Sequence, residues 1–191
     1  MAEPGAGPSI PPHAERVVLW HRRVLRAQKD EASLPAASTW TRGVVARCLA
    51  RGADIVAQIS GTVVATFDPE ELFDAIEIAL DLADEAEDAG VALAIAVTVG
   101  ETEDPTAGPP FERAELLAFR AHAGEVALDA EARTRARGSF LFARQLAGAG
   151  TKGFIVDRTH PRRDAAGDAV ARLGPITIPS ATAALLPHLA Q

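Results

Sequence analysis

Cysteine is almost absent: Cys48 stands alone among 191 residues, which excludes a disulfide framework and any cysteine-rich metal site. With Val44, Val45 and Leu49 around it, Cys48 reads as a small buried apolar residue on a helix rather than a reactive thiol. Lysine and arginine are missing from the whole interval between Arg51 and Arg113, where acids crowd, and the formal charge is −7. A chain so balanced lacks the clustered cations that grip phosphate backbones, so nucleic acid is not expected as a partner. No apolar run nears the roughly 20 residues of a bilayer span, and no basic stretch with a following apolar segment opens the chain. A cytoplasmic domain with no membrane partner is the expectation.

Several chemical motifs are missing too. His13, His21, His122, His160 and His188 show neither a HExxH pair nor any other ligand spacing, so no metal is expected. The run Gly148-Ala-Gly-Thr-Lys-Gly153 lacks the spacing that lets a glycine-rich loop wrap a phosphate, and a turn between strands suffices for it. Ser60 has no Gly-x-Ser-x-Gly elbow around it. The acids between Asp68 and Asp88 fall on a helical pattern instead of a twelve-residue calcium loop, which makes them a solvated face. No cofactor is implied.

What is present is one domain of ordinary size, 48% apolar and 24% charged, enough to bury a core. Residues 1–14 carry Pro4, Gly5, Gly7, Pro8, Pro11 and Pro12 and read as a disordered leader. A domain over 15–160 follows, then a C-terminal extension over 161–191 to which the pattern assigns no clear structure. Basic residues gather at Arg16, Arg22, Arg23 and Arg26, from Arg133 to Arg137, and from Arg158 to Arg163; solvated charge accounts for them, and a small anionic ligand is the partner they would admit.

Val17 to Leu25 is rich in β-branched and aromatic residues and predicts a strand. Ser38 is the expected cap of a helix ending at Gly52. Asp54 to Ile59 and Thr62 to Phe67 predict a hairpin turning on Ser60-Gly61. Asp68-Pro69-Glu70-Glu71 opens a helix whose core stripe is Leu72, Ile76, Leu80 and Ala83, closed by Gly90. Val91 to Val99 predicts a central strand, 100–110 a mobile loop, Phe111 to His122 a helix, Glu125 to Leu128 a strand, 130–137 a short helix, and 139–144 and 154–156 further strands. This order predicts an α/β (α+β) fold: a ferredoxin-like mixed sheet of the split-βαβ kind with helices on one face.

The hairpin Asp54 to Phe67, the helix with Asp74-Ala-Ile76, the strand Gly90 to Glu101, the stretch Ala121-His-Ala-Gly-Glu-Val126 and Lys152-Gly153 together resemble the class III adenylyl and guanylyl cyclase domain over roughly Glu15 to Asp157. The resemblance implies a cleft in which two aspartates on neighbouring strands hold two metal ions that align the ribose 3′-hydroxyl and the α-phosphate. It places Arg22 at the first aspartate and Gly61 at the second. A guanidinium repels a cation, and glycine offers no ligand. The family's transition-state Asn and Arg, four residues apart on one helix, fall on Glu112 and Leu116, its base-reading Lys on Ala57, and a strand Arg on Ala94.

The resemblance therefore implies a non-catalytic cyclase-like regulatory or interaction module in bacterial signalling, and the Ala- and Arg-rich composition suits a high-GC bacterium. A nucleotide-like small-molecule binder using the vestigial cleft is the second reading; an active cyclase with relocated residues comes last. Because the family's cleft lies between two subunits, the resemblance also implies a homodimer or a complex with a related cyclase-like domain.

Overall fold

The computed structural model describes residues 14–24, 34–146, 148, 150–159, 170–173 and 176–179, with the side chains of 34–37, 170–173 and 176–179 outside the description. Residues 1–13 of the expected leader and the rest of the C-terminal extension fall outside the described residues, whereas Ala14, counted with the leader, pairs with Thr102 in the sheet.

Strand β1 (Ala14–Arg23) leads through α1 (Leu34–Ala50) to the hairpin β2 (Asp54–Ile59) and β3 (Thr62–Phe67). Ser60 and Gly61 turn it with φ of 46° and 83°, the two left-handed residues that a two-residue hairpin loop demands. Gly61→Ala should cost about 1 kcal/mol, measured by urea unfolding, because a Cβ at positive φ is strained while its nearest neighbours, Arg23 side-chain carbons at 3.4 and 3.8 Å, are at ordinary contact distance.

A single 3₁₀ turn, Pro69–Glu71, then starts α2 (Leu72–Asp88), and the Glu71 carboxylate accepts from the Asp68 backbone N–H at 3.1 Å. Leu72, Ile76, Leu80 and Ala83 are buried as their spacing requires. The acidic outer face of α2 is not merely solvated. Arg47 pairs with Glu85 and Arg51 with Asp74, while Arg158 reaches Asp84 and Glu87, so two cations of α1 and one further along the chain brace it.

Next come β4 (Leu93–Thr102), α3 (Pro109–Arg120), β5 (Val126–Asp129), α4 (Ala130–Arg135), β6 (Phe142–Leu146), β7 (Gly153–Val156) and a separate hairpin of β8 (Val170–Leu173) and β9 (Ile176–Pro179). The loop between β4 and α3 is tied by its own groups: Thr102 Oγ1 donates toward the Asp104 carbonyl at 2.7 Å, and Asp104 Oδ1 accepts from Thr106 N–H at 2.8 Å.

Seven strands form one mixed sheet in the order β2-β3-β1-β4-β5-β7-β6, with β4 and β5 parallel and every other pairing antiparallel. Alternation along β1 sorts its neighbours. Val17 and Leu19 join the main core with side chains of α1, α2 and α4. Val18 and Trp20 point the other way, toward Phe111, Ala114, Leu117 and Ala118 of α3. Among the described residues, α1, α2 and α4 thus share one face of the mixed sheet, and α3 covers the opposite face instead of joining them, where helices on one face were expected. The α1 start also differs: the helix begins at Leu34, so Ser38 sits inside it and is not its cap.

Cys48 is fully buried in the main core, and burial pushes its thiol up to about 11. A thiol reagent should therefore leave it unmodified in the folded protein and titrate one thiol after denaturation.

Candidate functional site

The β1 residues that face α3 lead to the end of the sheet where the resemblance places its chemistry. Arg22 lies opposite Ala94 on β4 and Thr62 on β3. Its guanidinium turns back under α3, where Nε and Nη2 donate to the Ala118 carbonyl at 3.2 and 3.0 Å and the group stacks 4.5 Å from the Phe119 ring centroid. A cation is favoured there because the last carbonyls of a helix carry partial negative charge. Partial burial lowers the basicity of the guanidinium. One residue on, the Arg23 backbone N–H donates to the Gly61 carbonyl at 3.3 Å, and a Cβ placed on Gly61 would meet Arg23 side-chain carbons at 3.4 and 3.8 Å.

Arg22 and Gly61 are thus brought to one end of neighbouring strands. What they present is a helix-anchored guanidinium and a backbone turn beside a second arginine, a set that does not fit a divalent cation. Among the described residues, no three His, Cys, Asp or Glu side chains converge as a metal site would require.

Ala57 and Glu112 meet elsewhere, in a groove of about 240 Å³ between the sheet and the N-terminal half of α3. Its walls are Trp20, Val56, Ala57 and Val64 from the strands and Phe111, Glu112 and Glu115 from the helix. A bulge in β2 between Ile55 and Ala57 breaks the ladder beside the groove. Ala94 is not in the groove: it is fully buried beneath α3 with Leu117 and Ala118. Leu116 is half-buried, and Leu117 beside it is the side chain that enters the core.

This arrangement of sheet, hairpin and α3 matches solved structures. The adenylyl cyclase CyaB from P. aeruginosa superimposes with a TM-score of 0.62 at 13% identity, over 76% of this chain and 94% of that one. The chain has the class III nucleotide cyclase fold. The guanylate cyclase domain of RhGC from Catenaria anguillulae, solved with GTP, shares that fold at a TM-score of 0.60 and 14% identity, over 76% of this chain and 97% of the other. So does a dimeric guanylyl cyclase domain of the RhoGC fusion protein from Blastocladiella emersonii, at 0.62 and 12% identity, over 75% and 94%. No protein-family model and no curated protein matches the sequence. No described helix is long and apolar enough to cross a membrane.

Two further buried polar groups carry no counterpart in the sequence reading. Asp129, at the end of β5, is 2% exposed; it caps α4 by accepting from Ala132 N–H at 2.8 Å and receives the Arg113 Nε at 3.0 Å. Arg113 also donates to the Val99 carbonyl at 2.7 Å, locking α3 to β4 and β5. Burial pushes the Asp129 carboxyl up, against the downward pull of the Ala132 N–H and of Arg113. His21, 1% exposed, accepts from the Trp40 indole N–H at 3.3 Å, and burial pushes its imidazole down to about 4.

Proposed function

We propose that this chain is a non-catalytic, cyclase-like regulatory or protein-interaction domain of bacterial signalling. The observation that supports the reading is the engagement of Arg22: its guanidinium is spent on the Ala118 carbonyl and the Phe119 ring, and the sequence resemblance sets Arg22 at the family's first metal-binding aspartate. Gly61 across from it has no side chain to compensate, and Glu112 puts a negative charge where a triphosphate would need a neutral or cationic partner.

The interaction role rests on exposed apolar side chains on the same elements. Phe119 on α3 is 60% exposed, and Ile59, next to the hairpin turn, is 69% exposed. Were these side chains parts of one patch, a partner would cover it, since contiguous exposed apolar surface marks an interface. A second copy, or a related cyclase-like domain, is the partner we assign; the Blastocladiella domain has been solved both as a dimer and as a monomer.

Light scattering at micromolar concentration tests the assignment. A mass near twice 20.0 kDa, reduced by Phe119→Glu, supports self-pairing. A mass that stays near 20.0 kDa on concentrating removes the homodimer. ATP or GTP with Mg²⁺ should leave the melting temperature unchanged, whereas a ligand held at 100 times its dissociation constant would add about 2.7 kcal/mol.

A further inference from the structure

We propose that the groove between β2, β3 and α3 is a binding site for a small organic cation with an apolar body, of the arylalkylamine class. The family's own ligand is an anion, and the groove is built for the opposite charge. Glu112 and Glu115 stand one turn apart on the same wall, three residues being close to one helical turn. Neither makes an ion pair or hydrogen bond among the described residues, so both charges stay open to a ligand, as those of Asp68, Asp74, Glu85 and Glu125, paired with Arg16, Arg51, Arg47 and Arg144, do not. The cation nearest in sequence, Arg113, is turned away and held by Asp129 and the Val99 carbonyl.

The rest of the groove supplies what a bare acidic patch lacks. Trp20 and Phe111 present aromatic surface and Ala57 and Val64 aliphatic surface to the same space. An ammonium beside an indole face gains a cation–π attraction on top of its attraction to carboxylates, while its carbon body covers the apolar floor. The volume, about 240 Å³, equals roughly eight waters at about 30 Å³ each, which suits a ligand of about ten non-hydrogen atoms. A triphosphate would meet the two glutamates as repulsion. The inference goes beyond the absence of catalysis and does not depend on it, because binding of an amine and formation of a cyclic nucleotide are read separately.

The test is a titration of the full chain with phenethylammonium at pH 7, followed through the NMR signal of the Trp20 indole, with 2-phenylethanol as the uncharged match. At the affinity such small ligands reach, half-saturation falls near about 1 mM or below. The expected result is a saturable shift with the amine, and binding at least tenfold weaker both for the alcohol and for the Glu112→Gln/Glu115→Gln variant. Both glutamates are exposed, so the variant should keep its fold, which its unchanged melting temperature will verify. An alcohol that binds as tightly as the amine, a variant that binds the amine unchanged, or no saturable shift up to 20-fold above the expected midpoint overturns the proposal.

Discussion

Replacing Asp129 by alanine should destabilise the protein by about 3 kcal/mol, the largest effect expected of any single polar side chain in the site region. Two losses add. The Ala132 N–H at the start of α4 loses its acceptor, which costs about 1 kcal/mol for a typical cap. Arg113 loses its buried counter-ion; breaking a fully buried pair costs about 3 to 5 kcal/mol, and because the Arg113 side chain is 31% exposed only about 2 is assigned here. Asp129→Asn keeps an oxygen for the Ala132 N–H and should cost about half as much. Urea unfolding of the two variants at pH 7 decides it: equal stability of Asp129→Ala and the parent would mean the pair contributes nothing to holding α3 on the sheet.

Acid should weaken the fold through His21. In the unfolded chain its imidazole takes a proton near pH 6.5, whereas in the folded protein burial delays protonation to about 4. The unfolded state therefore binds more protons between these values, and stability falls as the pH drops through that window. Above pH 6.5 both states are neutral and His21 adds no pH dependence. The full loss, reached below about pH 4, is about 3 kcal/mol at roughly 1.4 kcal/mol per unit. Carboxylates titrate in part of the same range, so the readout is a difference between proteins. His21→Leu should lose less stability than the parent between pH 7 and pH 4.5; parallel pH dependence of the two would exclude His21 as the sensitive group.

Sequence pattern located the elements far better than it located their faces. The hairpin 54–67 was readable at its turn, where alternation and Ser60-Gly61 set Ile59 opposite Thr62, whereas the bulge between Ile55 and Ala57 has no signature in the alternation. The α2 stripe was equally legible, since an acidic outer face and an aliphatic inner one separate cleanly at a period of 3.6. By contrast, α3 carries apolar residues at Phe111, Ala114, Leu117 and Ala118 with Leu116 and Phe119 beside them. Nothing local says which side of the sheet such a helix will cover. Its place on the opposite face from α1, α2 and α4 follows from chain crossing and from Val18 and Trp20 pointing that way.

The same limit applies to the site. Arg22 and Gly61 could be set at neighbouring strand ends because β1 and the hairpin were both legible. That Arg22 would spend its guanidinium on α3 depends on a contact 96 residues away in sequence. Ala94 was placed in a cleft by its strand position, but parity puts it under Leu117. The Asp129 cap did leave a local trace: an aspartate ending an apolar strand and followed by Ala-Glu-Ala is a helix-start signal. The pairing of His21 with Trp40 left none.

The absence of cyclase chemistry is tested most directly by incubating the purified chain, alone and concentrated, with ATP or GTP and either Mg²⁺ or Mn²⁺, and measuring cyclic nucleotide. The account predicts no product above a protein-free blank, because the resemblance sets a helix-bound guanidinium and a glycine at the positions of the family's two metal-holding aspartates. Cyclic AMP or cyclic GMP formed above the blank, and lost when Arg22 or Glu112 is replaced, would contradict it.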